Sequence, residues 1–379
     1  MLFSDIIGQE NIQQQLIQAV QQNRLSHAML LLAPEGAGGL SLALAFAQYM
    51  ACENKQESDA CGQCPACVKA GQYIHPDIHF SYPVIPRKPG DKPLSTDYVA
   101  EWREFIGTHP YGNAYDWLQF IGAENKQGNI TANECHDIIR KLSLKSFEST
   151  YKILVMWMPE YLGNEGNRLL KLIEEPPANT LFILVAENQE QILATILSRV
   201  HLIKVNPLPK EVLVNALVQR ANAAPAKARQ VATIAMGNYR EALYLLQNAE
   251  DDYHELLRTW LNSIFTGNRP AQQQWIEQIA NAKMGRENQK QFLRYFINLL
   301  EHSLRMQYLP KDMLAFSEEE MDFAAKLNKL VNMRQMEQIM QLLDNACYYI
   351  ERNANARLLF HALSIRLQYI FRNKPLPVA

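Results

Sequence analysis

Four of the six cysteines crowd together. Cys52, Cys61, Cys64 and Cys67 are separated by eight, two and two residues. Thiolates at such spacing suit closure of a tetrahedral zinc site, and a full set of four protein ligands marks a structural ion. Gly62 and Pro65 lie between the ligands and favour the tight knuckles this spacing needs. In a protein expected to be cytosolic, crowded thiols point to metal before disulfides, and zinc is preferred to an iron–sulfur cluster or a redox pair. His75 and His79 follow closely, but four sulfurs already saturate zinc, so both read as ordinary residues of HPDIHF. Cys135 and Cys347 stand alone in helical patterns and read as core thiols.

A second constellation has the form of a phosphate site. Ala33-Pro34-Glu35-Gly36-Ala37-Gly38-Gly39-Leu40 lies between the apolar run AMLLL and the helical stretch SLALAFAQYM. Such a turn offers backbone N–H groups and a helix N-terminus to an anion. Against the pattern G-x-x-x-x-G-K-[ST], Ala33 takes the first glycine and Gly38 the second, Gly39 stands at the lysine, and Leu40 at the magnesium-binding hydroxyl. Sliding by one residue brings Ser41 to the hydroxyl but puts Leu40 at the lysine. No register supplies the cation that β/γ-phosphates require. The metal-binding acid is also missing: the apolar run Lys152–Trp157 continues into Met158-Pro159, and Glu160 lies beyond that proline. Gly36, Gly38 and Gly39 therefore read as a degenerate phosphate loop, with no hydrolysis and no useful ATP binding expected. Weak anion contact through its N–H groups stays open. Taken alone, the glycine string reads equally well as a plain tight turn.

The elements that must position these residues follow from periodicity. Ala28–Leu32, Lys152–Trp157, Leu181–Ala186 and His201–Val205 are short and nearly continuous in apolar residues, as strands of a parallel sheet buried on both faces are. Helices are expected at Gln9–Gln22, Leu40–Met50, Ala132–Leu142 and Glu165–Glu174, the last stopped by Pro176-Pro177. From Lys210 to Asn373 the pattern is helical throughout, with apolar residues at i, i+3, i+4 and i+7 in segments such as FLRYFINLLEHSLRM and ARLLFHALSIRLQYIF. The stretch 72–127, rich in aromatics and prolines, is too long for a structureless loop, so short elements are expected there, with no role assigned. The length of 379 residues implies two or three domains. A net charge of -2 and the lack of a Lys/Arg run argue against a free-standing nucleic-acid binder. No stretch reaches the roughly 18 apolar residues of a membrane span, so a cytoplasmic protein with no membrane partner is expected.

Several strings together resemble a known family: SHAMLLLAPEGAG (Ser26–Gly38), CGQCPAC (Cys61–Cys67), HPD (His75–Asp77), NRLLKLIEEPPANTLFILVA (Asn167–Ala186), ILSRV (Ile196–Val200) and GNYREAL (Gly237–Leu243). They are similar to bacterial clamp-loader AAA+ subunits of DNA polymerase III and span most of residues 1–250. Beyond that the likeness is one of length and helicity. The resemblance implies an α/β AAA+ P-loop-type domain with a parallel sheet over residues 1–207, its zinc knuckle at 52–67. A small helical lid domain at 208–250 and an all-α collar domain at 251–379 would follow. It also implies that Ser198 and Arg199 lie at the domain edge, where Arg199 acts in trans on a neighbour's ATP. The planar, permanently charged guanidinium suits that task, although the residue taken alone reads rather as part of a local surface salt bridge, and it is the family context that reverses this. Arg240 falls at the family's second sensor position, and Ser26 and His27 where the nucleotide pocket is framed; a structural role serves for all three. Val200 departs from the family's usual cysteine, and Ala194 and Leu197 from a proline and an arginine. Glu187-Asn188 takes the first sensor's region. The implied partners are gamma/tau and delta clamp-loader subunits, with the sliding clamp and primed DNA met through the complex. An active gamma/tau-type ATPase and a free-standing zinc-dependent DNA-binding AAA+ protein are the competing readings.

Overall fold

Short apolar runs with no polar face must be covered on both sides, and here three of them form the middle of one parallel sheet, with a less apolar strand at each edge. The computed structural model describes all residues except 89, 124–125, 248–252, 281–283, 307–317, 352–353 and 373–379. In chain order the elements are α1 (Glu10–Gln21), β1 (Ala28–Leu32), α2 (Gly39–Ala51), α3 (Pro65–Gly71), β2 (Ile78–Ser81), α4 (Val99–Thr108), α5 (Ala114–Phe120), α6 (Ala132–Ser143), β3 (Lys152–Trp157), α7 (Leu170–Glu174), β4 (Thr180–Ala186), α8 (Ala194–Leu197) and β5 (His201–Lys204). The sheet order is β2-β3-β4-β1-β5, and every pairing is parallel. Alternate side chains feed two cores: Met29, Ile153, Val155 and Ile183 pack on one face, Leu30, Leu154, Phe182 and Leu184 on the other.

Two local readings differ from expectation. Strand β2 carries His79 and Ser81 among its four residues, which break the apolar run that marked the other strands, yet it pairs with β3 along the sheet edge. The helix expected from Glu165 begins at Leu170; before it Pro159–Leu169 is tight 3-10 helix, interrupted at Gly163 with φ 49°. Within the stretch 72–127 lie β2, a 3-10 turn at Ser95–Tyr98, α4 and α5. Its aromatics make one cluster: Tyr82 stacks on Trp102 at 4.0 Å, and Trp117 meets Trp102 edge-on at 5.2 Å. Trp117 Nε1 also donates to the Pro83 carbonyl at 2.6 Å.

The remaining helices are α9 (Lys210–Ala221), α10 (Pro225–Ala235), α11 (Tyr239–Gln247), α12 (Tyr253–Thr266), α13 (Arg269–Ile279), α14 (Arg286–Arg305), α15 (Glu318–Leu330), α16 (Met333–Glu351) and α17 (Ala356–Phe371). The chain divides into two compact units: Met1–Ala228 with Ala235–Tyr244, and Arg229–Ile234 with Leu245–Ala379. The boundary expected at residues 250/251 lies outside the described residues. In the second unit the helical periodicity closes a core of its own, centred on Trp260 and Trp275, stacked at 4.7 Å, with Phe292, Phe296 and Phe360 around them. Trp260 Nε1 donates to Ser364 Oγ at 2.9 Å, so its single polar atom is satisfied in that core. Among the described residues no helix is long and apolar enough to cross a membrane.

Candidate functional site

The glycine-rich turn runs from the end of β1 into α2, as its sequence requires. Gly36 (φ 69°) and Gly38 (φ 92°) adopt the left-handed backbone that glycine enters without penalty. What surrounds them is protein. Tyr239 N, at the start of α11, donates to Gly36 O at 3.2 Å, and a Cβ on Gly36 would lie 1.9 Å from Asn238 Oδ1. A Cβ on Gly38 would lie 2.9 Å from the Tyr111 ring. At position 39 a Cβ would meet the Ala33 methyl at 2.5 Å and Val185 Cγ1 at 3.2 Å. The two departures from the phosphate-loop pattern thus complement each other: an alanine stands at the first glycine, and the residue facing it has no side chain.

Residues 110–112 cover the turn. Ser41 Oγ donates to Pro110 O at 2.9 Å, so this hydroxyl anchors that segment. Tyr111 Oη accepts from Ile7 N at 2.8 Å, and burial pushes the phenol up to about 12, so it stays neutral. The space left between Gly38, Tyr111, Trp157, Val185 and Glu187 is about 20 Å³, which holds about one water molecule.

At the end of β3, where a metal-binding acid was missing from the sequence, Trp157 is 2% exposed. It packs against Trp102 at 5.3 Å and Phe105 at 6.0 Å, both from α4. Glu160 accepts from Glu187 N at 2.6 Å and Asn188 N at 2.9 Å, and so holds the loop after β4. Burial raises its carboxyl above the usual range, with those amides pulling the other way.

Arg240 forks onto Asp116 of α5: Nε donates to Oδ2 at 2.5 Å and Nη2 to Oδ1 at 2.6 Å. Its Nη1 donates to Glu35 Oε1 of the glycine-rich turn at 3.0 Å. Ser26 Oγ donates to Ala28 O, and His27 Nε2 lies 2.9 Å from Ile173 O, so both serve the local backbone. Tyr111 and Asp116 carry no motif in the sequence. The only signal there was the unexplained aromatic content of the stretch that holds them.

Ser198 and Arg199 join α8 to β5, an edge strand of the sheet. Arg199 Nε lies 3.3 Å from Glu174 Oε2, and Nη1 donates to Thr195 O at 3.0 Å and to Ser198 Oγ at 3.1 Å. The guanidinium is partly exposed, and an ion pair at such a position contributes about 0–1 kcal/mol, so another anion can replace Glu174.

The four crowded cysteines converge, with all four sulfurs within 4.8 Å of one another. An ion about 2.3 Å from each sulfur would set them about 3.8 Å apart, and the observed Cys52–Cys61 and Cys61–Cys67 separations are 3.6 and 3.9 Å. Backbone amides of Cys61, Cys64 and Cys67 point at the sulfurs of Cys52, Cys61 and Cys64. The amides of Gln63 and Cys64 draw the Cys61 thiol down to about 6, towards the thiolate a metal takes, while burial pushes Cys67 up. His75 lies apart from the knuckle: its Nδ1 accepts from Asp77 N at 3.1 Å, and burial lowers its pKa.

The family profile described as "DNA polymerase III, delta subunit" matches residues 8–209, more than half of the chain. Among curated relatives, DNA polymerase III subunit delta' of Escherichia coli is 27% identical over 62% of this chain and 58% of its own length. DNA polymerase III subunit delta' of Bacillus subtilis is 25% identical over 64% and 60%. DNA polymerase III subunit tau of Bacillus subtilis is 26% identical over 70% and 40%. The chain thus spans between 40% and 60% of the length of these relatives.

Proposed function

Since the chain belongs to the DNA polymerase III, delta subunit family, we propose that it is a non-hydrolysing, delta-prime-type subunit of a clamp loader. In this reading it assembles with gamma/tau and delta subunits and helps to load a sliding clamp onto primed DNA in the cytoplasm. The observation that carries the reading is the state of its own nucleotide site. Ala33 and Gly39 exclude a lysine stem, Trp157 replaces the metal acid inside an aromatic cluster, and Tyr111 covers the turn. A subunit with no catalysis of its own contributes through a neighbour's site, and Arg199 is the residue proposed for that role. It stands beside an edge strand, where its ion pair is the exchangeable contact with Glu174. Ser198 positions it through the Oγ contact to Nη1. The four sulfurs are proposed to hold a structural zinc ion, which gives the segment between α2 and α3 a fixed shape.

The test is a reconstituted complex carrying Arg199→Ala. DNA-stimulated ATP hydrolysis and clamp loading should fall, by less than the roughly 10³–10⁵ seen for arginine fingers in single-site hydrolases, because one site of several borders this subunit. Arg199→Lys should rescue poorly, since an ammonium keeps the charge but loses the fork. Glu174→Ala removes the local partner and should leave loading intact. Wild-type loading by the Arg199→Ala complex would reduce Arg199 to a surface arginine.

An active gamma/tau-type ATPase is the second reading, favoured by the tau relative. It requires magnesium-dependent turnover by the isolated chain, against which Gly39, Leu40 and Trp157 all stand.

A further inference from the structure

The stretch 72–127 is the part of the first unit that the proposed function leaves without a task, and three of its residues meet the glycine-rich turn or the helices α2 and α11 beside it. Pro110 takes the Ser41 hydroxyl, Tyr111 lies over Gly38, and Asp116 grips Arg240. The aromatic cluster of Trp102, Phe105, Trp117 and Trp157 ties this segment to β3, so these contacts are presented by a packed body. We infer that this segment supplies an internal ligand to the degenerate nucleotide site. The Asp116 carboxylate takes the role of a phosphate on Arg240, and Tyr111 fills the space above the loop, so that the start of α11 is held on the loop without any nucleotide.

Three observations carry this. An arginine fork binds carboxylate and phosphate with the same bidentate geometry, and Arg240 makes that pair with both oxygens of Asp116. Glu35 adds a second carboxylate from within the turn itself, at 3.0 Å from Arg240. A loop carrying that acid repels a triphosphate and suits a cation, so its electrostatics are matched to Arg240. Finally, Tyr111 meets Tyr239 edge-on at 5.0 Å while its hydroxyl accepts from Ile7, joining the N-terminal segment, the loop and α11 through one ring. The inference concerns the isolated chain and does not depend on Arg199 or on clamp-loader assembly.

Amide hydrogen exchange on the full-length chain tests it. Asp116→Asn keeps a side chain that can still cap α5 with Asn113 but removes the charge. Exchange of the amides of 237–243 should speed up roughly tenfold to a hundredfold, the range for a hydrogen-bonded charge, while β3 and β4 stay protected. Arg240→Gln leaves the α5 cap untouched and should give at least that increase, since the Glu35 pair is lost as well; the double variant should go no further than Arg240→Gln. Inorganic pyrophosphate should restore protection in Glu35→Gln/Asp116→Asn/Tyr111→Ala, where both acids and the covering ring are gone, and leave the wild-type chain unchanged. Unaltered exchange in Arg240→Gln, additive effects in the double variant, a pyrophosphate response in the wild type, or none in Glu35→Gln/Asp116→Asn/Tyr111→Ala would each overturn the inference.

Discussion

The Cβ of any side chain at position 39 would come within 2.5 Å of the Ala33 methyl, a contact that backbone-fixed atoms cannot relieve by rotating. Gly39→Lys should therefore destabilise the chain by about 1–3 kcal/mol, the usual cost of overpacking. Adding Ala33→Gly should recover most of that loss in denaturant midpoints, without restoring turnover. Trp157 answers the same question at the acid position. Trp157→Asp deletes a fully buried ring and leaves a charge among Trp102 and Phe105. A loss of at least about 3 kcal/mol is expected from the lost ring alone, read by chemical unfolding. A variant of wild-type stability would mean that the aromatic cluster contributes little.

At the scale of elements, the four-cysteine cluster and the HPD turn each stand beside a connection that lacks a helix or strand of its own. Purified protein should carry close to one zinc per chain by elemental analysis, and Cys64→Ser should lose it together with local protection between α2 and α3, because metal binding is coupled to folding. Asp77 holds the connection from α6 to β3. Burial alone would raise its carboxyl, but the amides of Phe147, Ser149 and Glu148 outweigh burial and hold it below the ordinary aspartate value. A folded pKa below the unfolded one means the contribution is present above about pH 4 and is lost as pH falls through the folded value. Unfolding titrations of Asp77→Asn should thus show a shallower loss of stability below about pH 4 than the wild type; parallel acid limbs would contradict the assignment.

For the whole molecule, the first unit packs a core on each face of its sheet, the second unit closes one of its own, and the glycine-rich turn is covered by the chain's own side chains. A ligand present at a hundred times its Kd raises stability by about 2.7 kcal/mol. Magnesium-ATP should give no such shift in thermal unfolding of the isolated chain, because the loop faces Tyr111, Asn238 and Glu35 carries the wrong charge for a phosphate. A rise in the unfolding midpoint with ATP would contradict the closed site. Affinity capture of the tagged chain from its native cell should retain gamma/tau and delta subunits if the proposed assembly is right.

Much of this was legible in one dimension because its causes are local. Four sulfurs within sixteen residues can hardly avoid one another, and AMLLL and LFILVA are apolar at every position and KILVMW at all but its first, as short strands covered on both faces are. The missing lysine at Gly39 and the missing acid at Trp157 are absences that a pattern exposes directly. Strand order, the short β2 and the role of the 72–127 stretch were not legible. Arg240 and Asp116 are 124 residues apart, and Ile7 and Tyr111 are 104 apart. No spacing rule links residues so distant, and a tyrosine or an aspartate in an aromatic loop carries no motif. Only the packing of α4, α5 and α11 around the turn brings their charges and rings together, and that packing decides that a nucleotide-like pocket is filled by the chain's own side chains.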